Sequence, residues 1–334
     1  MNVHRDMVVH HEMIVHRQQI DVPAAYAGQR VDRTAAELFD SFSRSQLNRW
    51  IREGALTVDG QAVKPKSKLF GGECLKLDAT LDPAENWNEP QAVEFDVVFE
   101  DADLLVIDKP AGVVVHPGAG NRDGTLVNGL LDHRPDLAAL PRAGIVHRID
   151  MNTSGLLVVS ATDRAHKALT AAIAAHAVTR RYCAVAEGRM VAGATIDRPI
   201  GRDRRVRTRQ QVREDGRAAV TEVRVEERFR AHTLVAAELQ TGRTHQIRVH
   251  MASIGHPLVG DIRYGARRRV PRAPHPEVLI TVQGFPRHAL HAAELRFQHP
   301  TTGKDLSFTA PLPRDMTELI GVLRQDTAAH AELD

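Results

Sequence analysis

Cysteine is nearly absent: Cys74 and Cys183 are the only two in 334 residues. Far apart in sequence, they offer no disulfide framework and point to a reducing cytoplasm. Aromatic residues are also scarce, at 4%. No apolar run approaches the ~20 residues that a membrane-spanning helix needs, and the first residues lack the apolar centre of a secretion signal. A membrane protein is therefore excluded. Nor is there a large excess of one charge, because 44 Lys and Arg stand against 42 Asp and Glu, a net +2. Attraction to a polyanion must then come from how charge is distributed along the chain.

What is present is enough apolar material, 43% of residues, for real cores, and enough length for two domains. Residues 1–17 read as a mobile polar leader. Its histidines, His4, His10, His11 and the adjoining His16, match no common metal-ligand spacing. From 18 to 78 the pattern is of a small domain. Val31, Ala35, Leu38 and Phe39 fall at helical spacing, Ser43 suits an N-cap, and Leu47, Trp50 and Ile51 mark a second helix. Gly54 suits its C-terminal cap, Leu56 to Val58 reads as a strand, and Asp59-Gly60 is a hairpin signal leading into Ala62 and Val63. Arg44, Arg49, Lys64 and Lys66 stud this unit, as expected of a surface that follows phosphates.

Residues 79–92, with Pro83, Asn86, Asn88 and Pro90, read as a linker. A second domain is expected from 93 to 325, with a tail at 326–334. Strand-like runs recur at Val97 to Phe99, Leu104 to Ile107, Leu156 to Val159, Tyr182 to Ala186, Ala219 to Val225 and Thr233 to Leu239. The clearest helix is Asp163 to Ala175, where Ala165, Ala168, Leu169, Ala172 and Ile173 share a face. Strands outnumber helices without alternating with them. This predicts an α+β domain on a mixed, largely antiparallel sheet. Seven arginines between Arg202 and Arg217 against three acids mark a local basic surface.

Two stretches carry candidate chemistry. Gly144 to Ser160 sets His147, Arg148, Asp150, Asn152, Thr153 and Ser154 between an apolar start and a Val-rich strand, which places a lone carboxylate on a loop at a sheet edge. Taken alone, Asp150 and Asn152 read as turn residues that satisfy their own backbone. The second stretch, Leu239 to Met251, contains Gly242-Arg243-Thr244-His245-Gln246-Ile247-Arg248 and is followed by Gly260-Asp261. His245 and His250 are not spaced as a one-face metal pair, and Gly118-Ala119-Gly120 lacks the full glycine pattern and the Lys-Ser/Thr of a phosphate loop.

The Ser43 to Ile51 helix and the turn, strand and turn from Gly54 to Gly60 resemble the S4 RNA-binding domain. The His147-Arg148-Ile149-Asp150-x-x-Thr153-Ser154-Gly155 loop resembles the signature of the RluA family of pseudouridine synthases, with Ile149 in place of the usual Leu. The likeness takes in Lys109-Pro110-Ala111-Gly112, Val115 to Gly118 and Arg181-Tyr182, and so spans nearly all of the second domain. It implies Asp150 as nucleophile, Arg248 as its ion-pair partner, and Tyr182 as a ring that stacks on the base or moves a proton. Arg148, His147, Thr153, Arg243 and His245 would meet RNA. It also implies an isomerisation with no metal and no cofactor, carried out by a cytoplasmic monomer on large-subunit ribosomal RNA in the loop of helix 69. A transfer RNA or another ribosomal site remains the alternative within the family, and a non-catalytic ribosome-assembly protein the alternative outside it.

Overall fold

The computed structural model describes residues 14–39, 42, 44–81, 89–118, 121–206, 208–265 and 269–331. The expected Ser43 cap and His4, His10 and His11 lie outside them. The chain divides into two units, Met1–Glu89 and Pro90–Asp334.

The first unit contains β1 (Ile14–Asp21), α1 (Val31–Leu38), α2 (Arg44–Glu53), β2 (Leu56–Val58) and β3 (Cys74–Leu81). The sheet order is β1-β3-β2, with both pairs antiparallel. Both expected helices form because their apolar stripes have somewhere to go. Val31, Ala35, Leu47, Trp50 and Ile51 meet Leu56, Leu75 and Leu77 in one core, each worth roughly 1.5–3 kcal/mol if large and fully buried. β1 begins inside the segment expected to be a leader. Its middle is polar, so it lacks an apolar signature, and ladder pairing from Ile14 with Leu81 to Asp21 with Cys74 makes it a strand.

The Asp59-Gly60 turn forms, both residues having positive φ (49° and 77°). It closes on Gln61 only. The expected hairpin partner at Ala62 and Val63 is not a strand, and β2 pairs with β3 instead. Pro65 cannot donate to a ladder, and Asp59 reaches across to Cys74 with both its N–H and its carboxylate, at 2.8 Å each.

The second unit is built on nine strands: β4 (Asp96–Glu100), β5 (Leu104–Lys109), β6 (Ser154–Ser160), β7 (Thr179–Glu187), β8 (Ala194–Asp197), β11 (Val220–Arg228), β12 (His232–Leu239), β13 (Leu290–Gln298) and β14 (Asp305–Thr309). A separate hairpin joins β9 (Ile200–Arg202) to β10 (Gln210–Val212). The helices are α3 (Leu126–His133), α4 (Asp163–Ala174), α5 (Gln246–Ser253), α6 (Pro276–Gly284) and α7 (Arg314–Ala331). The sheet runs β4-β5-β6-β13-β7-β12-β11-β8, with β14 beside β13. Among these pairs β6 with β13 is parallel and the rest are antiparallel. This is the expected α+β class with a mixed, largely antiparallel sheet. α4 is capped by Thr162, whose hydroxyl accepts the Ala165 N–H, and buries Leu169 against Leu156 and Val158.

The boundaries differ from expectation at both ends of this unit. Gln91, expected in the linker, is already fastened to it, its N–H on Asn128 O and its side chain on the Gly124 N–H. The expected tail is helical as far as Ala331. Asp326 there is buried and takes the Arg230 guanidinium at 3.1 Å and the His275 N–H at 3.0 Å.

Candidate active site

Asp150 sits on the loop that feeds β6 into the middle of the sheet. Its carbonyl accepts the Thr153 N–H at 3.0 Å, the turn expected of an Asp-x-Asn sequence. The join to the sheet is tight. At Gly155 φ is +113°, and a Cβ would lie 2.3 Å from Ala292 O, so only glycine lets β6 and β13 approach directly after the loop.

Two buried cations fasten this loop from behind. Lys109, with no exposed surface, donates to Pro110 O, Val113 O and Met151 O at 2.6, 2.9 and 3.0 Å. Burial lowers its ammonium to about 7 against the pull of Asp150 and Asp108. Arg287 donates to Asn152 O at 3.1 Å and pairs with Asp315 through two nitrogens. The two backbone carbonyls immediately after Asp150 thus each end on a basic side chain.

The Asp150 carboxylate faces a cleft of about 580 Å³ of empty space, part of it open solvent, lined by Arg148, Arg180, Tyr182, Arg243, His245 and Arg248 among others. Its Oδ2 accepts from Arg248 Nη1 at 2.9 Å. The remaining edge of that guanidinium is clamped by Asp261, Nε to Oδ2 at 2.8 Å and Nη2 to Oδ1 at 3.0 Å. Asp261 is set in turn by the N–H groups of Arg263 and Tyr264. Gly260 allows its approach, since at φ +73° a Cβ would lie 2.0 Å from Arg287 O. Burial would raise the Asp150 carboxyl, but the charge of His245 when that ring is protonated, together with the charge and hydrogen bond of Arg248, outweighs it and holds it below the usual carboxylate range. His245 Nε2 lies 4.0 Å from Oδ1, beyond hydrogen-bond length.

The turn from Thr241 to Arg243, which walls the cleft, hangs on Gln246. Its Oε1 accepts from the Thr241 hydroxyl and the Arg243 N–H, and its amide donates to Val220 O and Thr221 Oγ1. Tyr182 is 5% exposed, and burial pushes its phenol up to about 12. Its hydroxyl has no hydrogen-bond partner among the described residues.

The structure thus brings together Asp150, Tyr182, Arg248, Arg148, Arg243 and His245. It ties two other expected RNA contacts into the scaffold, although Thr153 still lines the cleft. Thr153 is buried, with its hydroxyl 2.7 Å from His288 Nε2, and burial together with the Arg248 charge drives His288 down to about 3. His147 accepts the Val158 N–H at Nε2, while its Nδ1 is buried without a hydrogen-bond partner among the described residues. Burial lowers it to about 3. Arg44, Arg49, Lys64 and Lys66 belong to the first unit; Arg44 reaches the buried Asp32 at 2.9 Å, Arg49 lies 3.7 Å from Glu53, and both lysines are exposed.

Sequence reasoning passed over Arg180, Asp261 and Tyr264. Arg180 is 6% exposed, its Nε has no partner, and it lies on the Tyr182 side of β7. Strand alternation carries that signal, because residues 180 and 182 share a face while Arg181 turns the other way, to Glu294. Asp261 stood in the Gly260-Asp261 stretch without a role, and Tyr264 had no signal of its own; a turn brings both to Arg248. Among the described residues no group of three His, Cys, Asp or Glu is arranged to hold a metal.

Residues 103–253 match the family model described as RNA pseudouridylate synthase. A relative from Vibrio parahaemolyticus named ribosomal large subunit pseudouridine synthase D is 50% identical over 301 residues, covering 90% of this chain and 92% of its own length. One of the same name from Pseudomonas aeruginosa is 49% identical, covering 92% and 96%. Among solved structures, human RNA pseudouridylate synthase domain containing 1 is 26% identical at a TM-score of 0.51, over 71% of this chain and 97% of that one. With half its residues shared across nearly the full length of such relatives, and with the loop of Asp150 inside the matched region, the chain belongs to the RluA family of RNA pseudouridine synthases, isomerases of uridine.

Proposed function

We propose that this protein converts uridines of large-subunit ribosomal RNA to pseudouridine, with Asp150 as the nucleophile and the loop of helix 69 as the target, as a cytoplasmic monomer without cofactor. The observation that carries the chemistry is the carboxylate held ionised by Arg248 at the wall of an open cleft. The names of the relatives support the choice of RNA.

The reaction breaks the bond from ribose C1′ to uracil N1, turns the base, and joins C1′ to C5; C5 loses a hydrogen and N1 gains one. An anion is needed where C1′ loses its leaving group, as at the anomeric carbon of a glycosidase substrate. Oδ2 of Asp150 takes the guanidinium, which leaves Oδ1 for C1′. The ester formed there is displaced when the base returns through C5. Tyr182 offers its ring face to the base, and a phenol raised to about 12 stays neutral and so serves better as a platform than as a base. A uridine stacked in RNA cannot reach this carboxylate and must be turned out of its strand, most cheaply from a loop. Arg148, exposed at the cleft, grips the phosphate of the extruded nucleotide. The first unit, S4-like in its helix-turn-strand pattern, holds flanking RNA through Arg44, Arg49, Lys64 and Lys66.

Asp150→Asn tests this reading. It keeps the shape and removes the anion, so the variant should fold, bind a ribosomal RNA transcript and release no tritium from uridine labelled at C5. Turnover above background in a clean preparation would refute the assignment.

A further inference from the structure

The arginine-rich hairpin of β9 and β10 reaches the surroundings of the nucleophile through Tyr264. The Gln210 N–H donates to its hydroxyl at 3.0 Å, and Arg263 next to it donates to Thr208 O at 2.7 Å. The guanidinium carbons of Arg209 and Arg248 lie 5.4 and 5.0 Å from the centre of its ring, within cation–π range. On the other side its hydroxyl is 2.6 Å from His245 Nδ1. His245 is a non-glycine residue held in the left-handed region, at φ 57°, at the start of α5, which turns its ring toward Asp150.

A phenol has a single hydrogen. The Gln210 N–H already donates to the oxygen, and among the described residues the hydroxyl hydrogen has no acceptor other than His245 Nδ1. The hydroxyl therefore donates to Nδ1, and in a neutral imidazole the proton then resides on Nε2. That N–H is the group 4.0 Å from Asp150 Oδ1, the oxygen that Arg248 leaves free. Burial lowers His245 below the ordinary histidine range, in keeping with a neutral ring.

We propose that Tyr264 is a positioning residue that locks His245 in its Nε2–H tautomer facing the nucleophilic oxygen. Arg202 and Arg205 on the hairpin make no ion pair among the described residues, so they are available to phosphates, whereas Arg213 and Arg204 are held by Asp215. The proposal rests on Asp150 acting as nucleophile.

The test uses the full-length protein with labelled histidine and a ribosomal RNA transcript. Nitrogen NMR, with His245 assigned by its loss in His245→Gln, should show Nδ1 unprotonated and Nε2 protonated in the wild type. In Tyr264→Phe, which keeps the ring, that preference should be lost, kcat should fall about tenfold and KM should stay within about twofold. The double variant Tyr264→Phe/His245→Gln should be no slower than His245→Gln alone, because both remove one device. A protonated Nδ1 or a charged ring in the wild type at neutral pH overturns the proposal, as does additive loss in the double variant. An unchanged kcat in Tyr264→Phe at equal folded fraction also overturns it. The NMR result needs no turnover, so failure of the transcript as substrate for the wild type would refute the functional reading separately.

Discussion

Replacing Arg248 by alanine should move the acid limb of the pH–rate profile. In the wild type one guanidinium makes three short bonds to two carboxylates, Asp150 and Asp261, with side-chain exposures of 17% and 1%. Removing one partner of a buried, hydrogen-bonded ion pair costs about 3–5 kcal/mol. The cost falls on the charged form of what is left, here two enclosed carboxylates that now repel each other. At about 1.4 kcal/mol per pKa unit, even the lower figure is about two units.

The sign follows from which form reacts. On the proposed chemistry Asp150 works as an anion, so activity should be present above its folded pKa and be lost as pH falls through it. In the wild type that pKa lies below the usual range, and kcat should stay flat through mildly acidic pH until the protein unfolds. In Arg248→Ala the limb should move up by about two pH units, and residual turnover should recover as the medium is made alkaline. The linked stability follows the same sign. The depressed carboxylates stabilise the fold above their unfolded pKa, and the variant should lose that contribution and melt earlier. Tritium release from a C5-labelled transcript, read from about pH 5 to about pH 9, measures the limb. A variant whose profile is parallel to that of the wild type would refute the claim that Arg248 keeps Asp150 ionised.

Tyr182→Phe keeps the ring and should retain turnover within about threefold, because the phenol is pushed up to about 12 and is a poor base at neutral pH; a loss of about 100-fold with intact RNA binding would assign it proton transfer instead. Lys109→Met leaves three carbonyls without their cation, so thermal melting should drop by several degrees and kcat should fall with KM little changed; unchanged kcat would show that the loop holds Asp150 without the clamp. Lys64→Ala with Lys66→Ala should weaken binding to the transcript and lower the log–log salt slope by about 1–2, leaving kcat at saturating RNA intact, whereas undiminished affinity at moderate salt would show that these lysines do not hold RNA.

Contiguous patterns were legible without coordinates. The apolar face of Ala165 and Leu169 made α4, the runs at Leu104 to Ile107 and Leu156 to Val159 made buried neighbouring strands, and the Asp150 loop and the Gly242 to Arg248 segment stood out as polar residues with no core to serve. Periodicity and motif are local properties, and where one sequence-near signal was enough the reading held. It failed where a distant partner decides. β1 is a strand because β3 lies beside it, and Ala62 is not one because Asp59 had already committed to Cys74.

The site divides in the same way. Sequence by itself determined which residue types could do the chemistry, a carboxylate, a guanidinium and an aromatic ring, each marked by its own stretch. Only the tertiary structure decided that Thr153 and His147 are tied into the scaffold, and that Asp261, Tyr264, Lys109 and Arg287 converge on Asp150. The reason is physical: the state of a buried charge depends on every dipole and charge within a few ångströms, and those come from segments more than a hundred residues apart.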